Sequence, residues 1–241
     1  MGILVAVAEQ VLDVLDGRPA RFAVNMPLVD PETMAIIGPY IDAAEVAASI
    51  ASQLTPGAIS RARIEYAGNI ANYETSPLRA AVVVGMLKRA TEENVTIVNA
   101  ERFAEQFGIR IDEESGPARE PYANLLVVHL FGPDGDTQVA ATSTRRGVLV
   151  TAIGEYQGID IVPTAAPYAL AVENRDRPGM IGRVGTLLGG WDVNIVYMSV
   201  AAGTEHRALM VLGTNRPLTA EELDEVTAIE DIFDARQIDL S

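Results

Sequence analysis

The chain has 241 residues, 49% of them apolar and 21% charged, a balance that suits one large or two ordinary folded domains and not a disordered chain. A formal charge of −15 argues against nucleic acid or an anionic membrane as partner, because both are polyanions. With no cysteine there can be no disulfide, thiolate nucleophile or iron–sulfur cluster, and the two histidines, His129 and His206, lack a metal-ligand neighbour at helical spacing.

Residues 1–25 read as a helix and a linker. The opening run is too short to span a bilayer, Glu9, Asp13 and Asp16 interrupt the rest of the helix, and no basic start or small-residue cleavage site is present. Val7, Val11, Leu12, Val14 and Leu15 form one apolar stripe, closed by Gly17 at a C-cap position. A stripe with nothing before it to pack on suggests a piece of something larger, or packing against another subunit.

Residues 26–165 read as a mixed domain. Asp30, Pro31 and Glu32 start a helix that runs towards Leu54, and residues 58–68 alternate like a half-buried strand. Ser76 as cap and Pro77 at the first helical position start a second helix, 95–100 reads as a short buried strand, and 100–108 as a short helix closed by Gly108. Strands then follow at 109–114, 122–130 and 137–143, and 147–154 pairs with 158–163 in a largely antiparallel sheet.

Residues 166–241 change rhythm. Strand 168–174, helix 178–188, strands 193–200 and 206–214, helix 219–229 and strand 232–240 give βαββαβ, with Thr219 and Glu222 set for a capping box. The fold class is therefore α+β, a mixed domain followed by a ferredoxin-like one.

The turn between the first strand and helix of that unit carries the chemistry. Gly179, Gly182, Gly185 and Gly189 do not make the G-x-G-x-x-G of a dinucleotide site, and the next strand brings Asn194 in place of a ribose-binding acid. The last three glycines fall on one helical face, which predicts close packing of the helix on its sheet. Pro178, at or near the first helical position, leaves free N–H groups on Gly179, Met180 and Ile181, a site for a carboxylate or phosphate. Asp176 offers a partner to an ammonium, and Asn174 and Asn194 each offer donor and acceptor. The set fits an amino-acid pocket; it also fits a capped helix with Asn194 in a turn.

The run 174–195, followed by Ala208–Leu212, closely resembles the ACT domain at the C-terminus of D-3-phosphoglycerate dehydrogenase. Residues 7–27 resemble that family's chain leaving its nucleotide-binding domain. The stretches 39–54, 64–87 and 98–109, then "YANLLVV" and "YQGIDIVP", resemble the intervening domain of its long form. The resemblance implies a place in the first step of phosphorylated serine synthesis, where NAD oxidises 3-phosphoglycerate, in the cytoplasm. It implies L-serine as feedback effector, held by Asn174, Asp176 and the turn Pro178, Gly179, Met180 and Ile181 of one ACT domain and by Asn194 across a dimer. It also implies self-association through that domain and attachment to catalytic domains that carry the NAD site and the catalytic Arg, Glu and His, so this stretch by itself is expected to hold no cofactor and to be inactive. Family members often place histidine or tyrosine at position 174, which ranks Asn174 below Asp176 and Asn194. A second, anion-binding effector site on the final hairpin is disfavoured by Ala152, Glu155, Asp160 and Thr164, with Arg145 and Arg146 nearby. Two other readings remain, a stand-alone ACT-type amino-acid sensor and an L-serine dehydratase β-type subunit.

Overall fold

The computed structural model describes residues 29–240, so the helix expected before Gly17 lies outside the described residues. Asp30 caps α1 (Pro31–Ile37), its Oδ1 accepting from the amides of Glu32 and Thr33 at 3.0 and 2.9 Å. A 3-10 turn then leads into α2 (Ile41–Leu54), where Ala43, Ala44, Ala47, Ala48 and Ala51 are all buried. The run Pro31–Leu54 is long and apolar enough to cross a membrane, yet its alanine face packs into the core. Its neighbour there is α3 (Ser76–Leu87), which starts at Ser76; the cap position belongs to Thr75, one residue earlier than the sequence suggests. The two helices meet backbone to backbone, and a Cβ on Gly85 would lie 2.0 Å from the Glu45 carbonyl oxygen.

These helices cover one face of a sheet built from β1 (Arg61–Gly68), β2 (Arg110–Gly116), β3 (Asn124–Gly132), β4 (Gly135–Thr144), β5 (Gly147–Ile153) and β6 (Tyr156–Ile161). The order is β2-β1-β3-β4-β5-β6, antiparallel apart from the β1–β2 pair. Along β1 the period-two pattern sends Ala62, Ile64 and Tyr66 to the helices and Arg61, Arg63 and Glu65 to the other side. The strand expected at 95–100 does not form. Asn99 accepts from the Thr96 amide at 2.7 Å and donates to the Asn94 carbonyl at 3.0 Å, so its side chain turns the chain into α4 (Ala100–Gln106).

The second sheet contains β7 (Tyr168–Arg175), β8 (Ile195–Ala202), β9 (Arg207–Thr214) and β10 (Ile232–Asp239), with α5 (Met180–Gly190) and α6 (Ala220–Thr227) on one face. Its order, β10-β7-β9-β8, with the two crossovers made by helices, is the ferredoxin-like arrangement, and the chain as a whole is α+β. The capping box of α6 is present: Thr219 Oγ1 accepts from the Glu222 amide, and Glu222 accepts from the Thr219 amide. Arg216 beside Glu222, helped by the Thr219 amide, holds that carboxyl down at about 2.

Both faces of its central strands, β7 and β9, are covered. Leu170, Val172, Met210 and Leu212 meet α5 and α6, whereas Ala169, Ala171, Leu209, Val211 and Ile238 belong to the same core as α2, β5 and β6. That double burial explains why β9 reads as an unbroken apolar run with no alternation. Polar contacts reinforce the junction: Gln53 exchanges two hydrogen bonds with the Asp239 backbone, at 3.0 and 2.8 Å.

The close approach of α2 and α3 gives a direct expectation. Gly85→Ala should destabilise the chain by roughly 1–3 kcal/mol, because the added methyl meets backbone that cannot rotate away. Denaturant unfolding checks this, and an unchanged midpoint would refute the packing account.

Candidate functional site

The turn between β7 and α5 is held from below. Arg175 donates its amide to the Asp231 carbonyl at 2.8 Å and its Nε to Asp231 Oδ1 at 3.0 Å, while Arg177 Nη2 meets Asp231 Oδ2 at 2.5 Å. The Asp176 amide donates to the His206 carbonyl at 2.7 Å. Asp231 and His206 thus fix the loop from distant stretches of sequence, and no local spacing signals either. Asp231 does so in the left-handed region, at φ 73°.

Gly179 is the N-cap of α5, at φ 96°, so Pro178 stands just before the cap, near the first helical position but not at it. The first-turn amides of Met180, Ile181 and Gly182 have no intrahelical acceptor. Met180 itself is buried in the core, Ile181 is exposed, and Asp176 is exposed beside them.

Asn174, which the sequence ranks below Asp176 and Asn194, is a buried polar residue. It faces the helix layer in line with Leu170 and Val172 and is only 3% exposed. Its Nδ2 donates to the Arg175 carbonyl at 2.7 Å, but its buried Oδ1 has no partner. Leaving a buried acceptor unsatisfied costs about 1–3 kcal/mol, so the position invites a donor from outside the chain.

One expectation needs correction. Gly182, Gly185 and Gly189 do share a face, but it is the outer one, and a Cβ on any of them would meet nothing within 4 Å. The helix packs on its sheet through Met180, Val184 and Leu188. A shallow apolar groove instead opens on the flank facing Ile229, lined by Gly182, Leu187, Gly190 and Trp191. Asn194, expected to act across a dimer, lies apart from the loop in its own chain. It bonds Asn215, past the far end of β9, whereas Asp176 bonds His206 at the near end. Seven residue steps of strand separate the two ends, roughly 24 Å. One chain therefore gathers Asn174, Asp176 and the turn at 178–181, and leaves Asn194 apart.

The basic residues of the first sheet are largely spoken for. Arg61 pairs with Asp112, Arg63 with Glu114 and His129, and Arg119 with Glu65. On the final hairpin Glu155 accepts from Thr204.

Comparison with known proteins gives this architecture a lineage. Residues 36–150, from the end of α1 to the middle of β5, match the family described as the D-3-phosphoglycerate dehydrogenase intervening domain. The chain carries that family's domain. Over its full length it is 35% identical to D-3-phosphoglycerate dehydrogenase of Synechocystis sp. and 31% identical to that of Bacillus subtilis, covering 43% and 46% of those proteins. The enzyme of Archaeoglobus fulgidus is 30% identical over 97% of the chain, with 44% of its own length covered. The chain thus spans less than half the length of these D-3-phosphoglycerate dehydrogenases. Among solved structures, the ACT domain from the GTP pyrophosphokinase of Chlorobium tepidum aligns with 29% of the chain at 13% identity and a TM-score of 0.21.

The orphaned acceptor makes a prediction about the ligand-free protein. Asn174→Leu should be at least as stable as wild type, since it removes an unsatisfied buried carbonyl worth about 1–3 kcal/mol and gives up one ordinary hydrogen bond of about 1 kcal/mol. A thermal midpoint well below wild type would mean that Asn174 is structural.

Proposed function

We propose that this chain is the regulatory part of an NAD-dependent D-3-phosphoglycerate dehydrogenase of serine synthesis, a cytoplasmic assembly in which L-serine acts as feedback effector. The observation that carries the reading is the buried, unpartnered Oδ1 of Asn174 beside the open N-terminus of α5. A ligand there needs an anionic group for the helix amides and a donor for Asn174. An amino acid has both, and Asp176 stands ready for its ammonium. The amides of Met180 and Ile181, with Gly179 free of a side chain, receive the carboxylate.

The remaining contact, Asn194, comes from a second copy. β8 is an edge strand, and no strand pairs with its outer side among the described residues. It exposes Val196, Met198 and Val200, at 47, 44 and 43%, and Ile181 is 47% exposed on the flank of α5 turned away from Ile229. An open apolar edge of this kind templates association. Pairing β8 with itself about a two-fold axis is antiparallel, and it carries Asn194 of the partner subunit towards the Ala202 end, where the 174–181 loop lies. The NAD site and the catalytic groups belong to domains outside these residues, and this stretch by itself does not turn over 3-phosphoglycerate.

Calorimetry should show saturable L-serine binding, a thermal midpoint that rises with L-serine but not with D-serine or glycerate, and no heat with NAD. A hydrogen bond to a charged group is worth roughly 1.5–3 kcal/mol, so Asp176→Ala should weaken binding about tenfold to a hundredfold. Asn174→Ala should cost as much, reversing the order that sequence alone suggests. Absence of any serine-dependent shift at millimolar ligand would defeat the reading.

Assembly is tested separately. Sedimentation should show a dimer at tens of micromolar, and Met198→Asp, which places a charge on the apolar edge, should leave monomer. A wild-type monomer at that concentration would contradict the shared site.

A further inference from the structure

The β8–β9 turn, Gly203–His206, touches three things at once. Through the His206 carbonyl it holds the Asp176 amide, at 2.7 Å. Through Thr204 Oγ1 it donates to Glu155 Oε2, at 2.7 Å, in the turn between β5 and β6. Through Gly203 it lies flat on the ring of Tyr156, the first residue of β6, where a Cβ would come 2.4 Å from Cε1.

The residue that closes the turn adds a fourth contact. Arg207 Nη1 donates to Glu173 Oε1 at 2.6 Å, and the Tyr156 hydroxyl donates to the same oxygen at 2.8 Å. Glu173 precedes Asn174 on β7, so the strand's alternation points one at the first sheet and the other at the α5 terminus. The turn itself is held in an uncommon shape. Glu205 and His206 both sit in the left-handed region, at φ 51° and 58°, although neither is glycine. Such a conformation persists only where surrounding contacts determine it.

We propose that the Gly203–Arg207 turn is the link by which events at the 174–181 loop reach the β5–β6 hairpin of the first sheet, and so the intervening domain. The link rests on the reading of 174–181 as the ligand loop. Any shift of Asp176 towards a ligand pulls on the His206 carbonyl. The strained turn moves as a unit, because two hydrogen bonds between Gly203, Thr204 and Arg207 close it, at 2.8 and 2.9 Å. Its far side then shifts Thr204 against Glu155, Gly203 against the Tyr156 ring and Arg207 against Glu173. Coupling of this kind is reciprocal, so a change at Tyr156 alters affinity at the loop by the same factor.

The test is hydrogen exchange across residues 154–158 of the full chain, in two arms. The first needs no ligand: Asn174→Ala should change that exchange by about fivefold or more, the lower end of ordinary coupling. The same change made in a Gly203→Ala or Tyr156→Phe background should have a smaller effect there; the second variant keeps the ring and removes only the hydroxyl bond to Glu173, so folding is not at issue. The second arm adds L-serine, with calorimetry on the same samples. It should slow exchange at 154–158 in wild type and less so in either variant. The proposal is overturned if Asn174→Ala leaves 154–158 unmoved in the wild-type background, or if both variants pass the effect on in full. Should calorimetry show no serine binding, the serine reading falls while the first arm decides the link.

Discussion

The burial of β7 and β9, the central strands of the second sheet, on both faces is the constraint on which the rest depends. Had its lower face been solvated, Ala169, Ala171, Leu209 and Val211 would have been free to be polar, and the βαββαβ unit would be a separate bead. Instead one face is packed by α5 and α6 and the other by α2, β5 and β6. Every residue of β7 consequently has a fixed neighbour, and the strand's end is a rigid base for the turn into α5. Asn174 can be held with an unsatisfied oxygen only because Asp231, Arg175 and His206 leave the loop little freedom to collapse around it.

This arrangement also separates two kinds of glycine. Gly85 and Gly203 are needed because backbone or an aromatic ring already occupies the place of their Cβ. Gly182, Gly185 and Gly189 meet open space, so their own chain gives no reason for them. The periodicity placed these three on one helical face, but could not say which face. Met180, Val184 and Leu188, the larger apolar residues of the same helix, in fact define the buried side.

Capping residues were the most legible part of the sequence. Asp30 with Pro31, and Thr219 with Glu222, act over three residues and owe nothing to the rest of the fold. The strand at 95–100 was lost to the same kind of local effect, an asparagine side chain bonding its own backbone. At the site, the donor set around 174–181 was readable, whereas its geometry was not. Asn194 comes directly after α5 in sequence, yet the helix has carried the chain to the other end of the sheet by then. The burial of Asn174 and its unpartnered oxygen are features that spacing cannot reveal.

The central claim is that this oxygen waits for a ligand's donor. A crystal structure of the chain grown with saturating L-serine addresses it most directly. The account predicts one serine at each α5 N-terminus, with a nitrogen or hydroxyl about 3 Å from Asn174 Oδ1 and its carboxylate on the helix amides. Serine found elsewhere, or an Asn174 oxygen satisfied by a protein group in the complex, would contradict it.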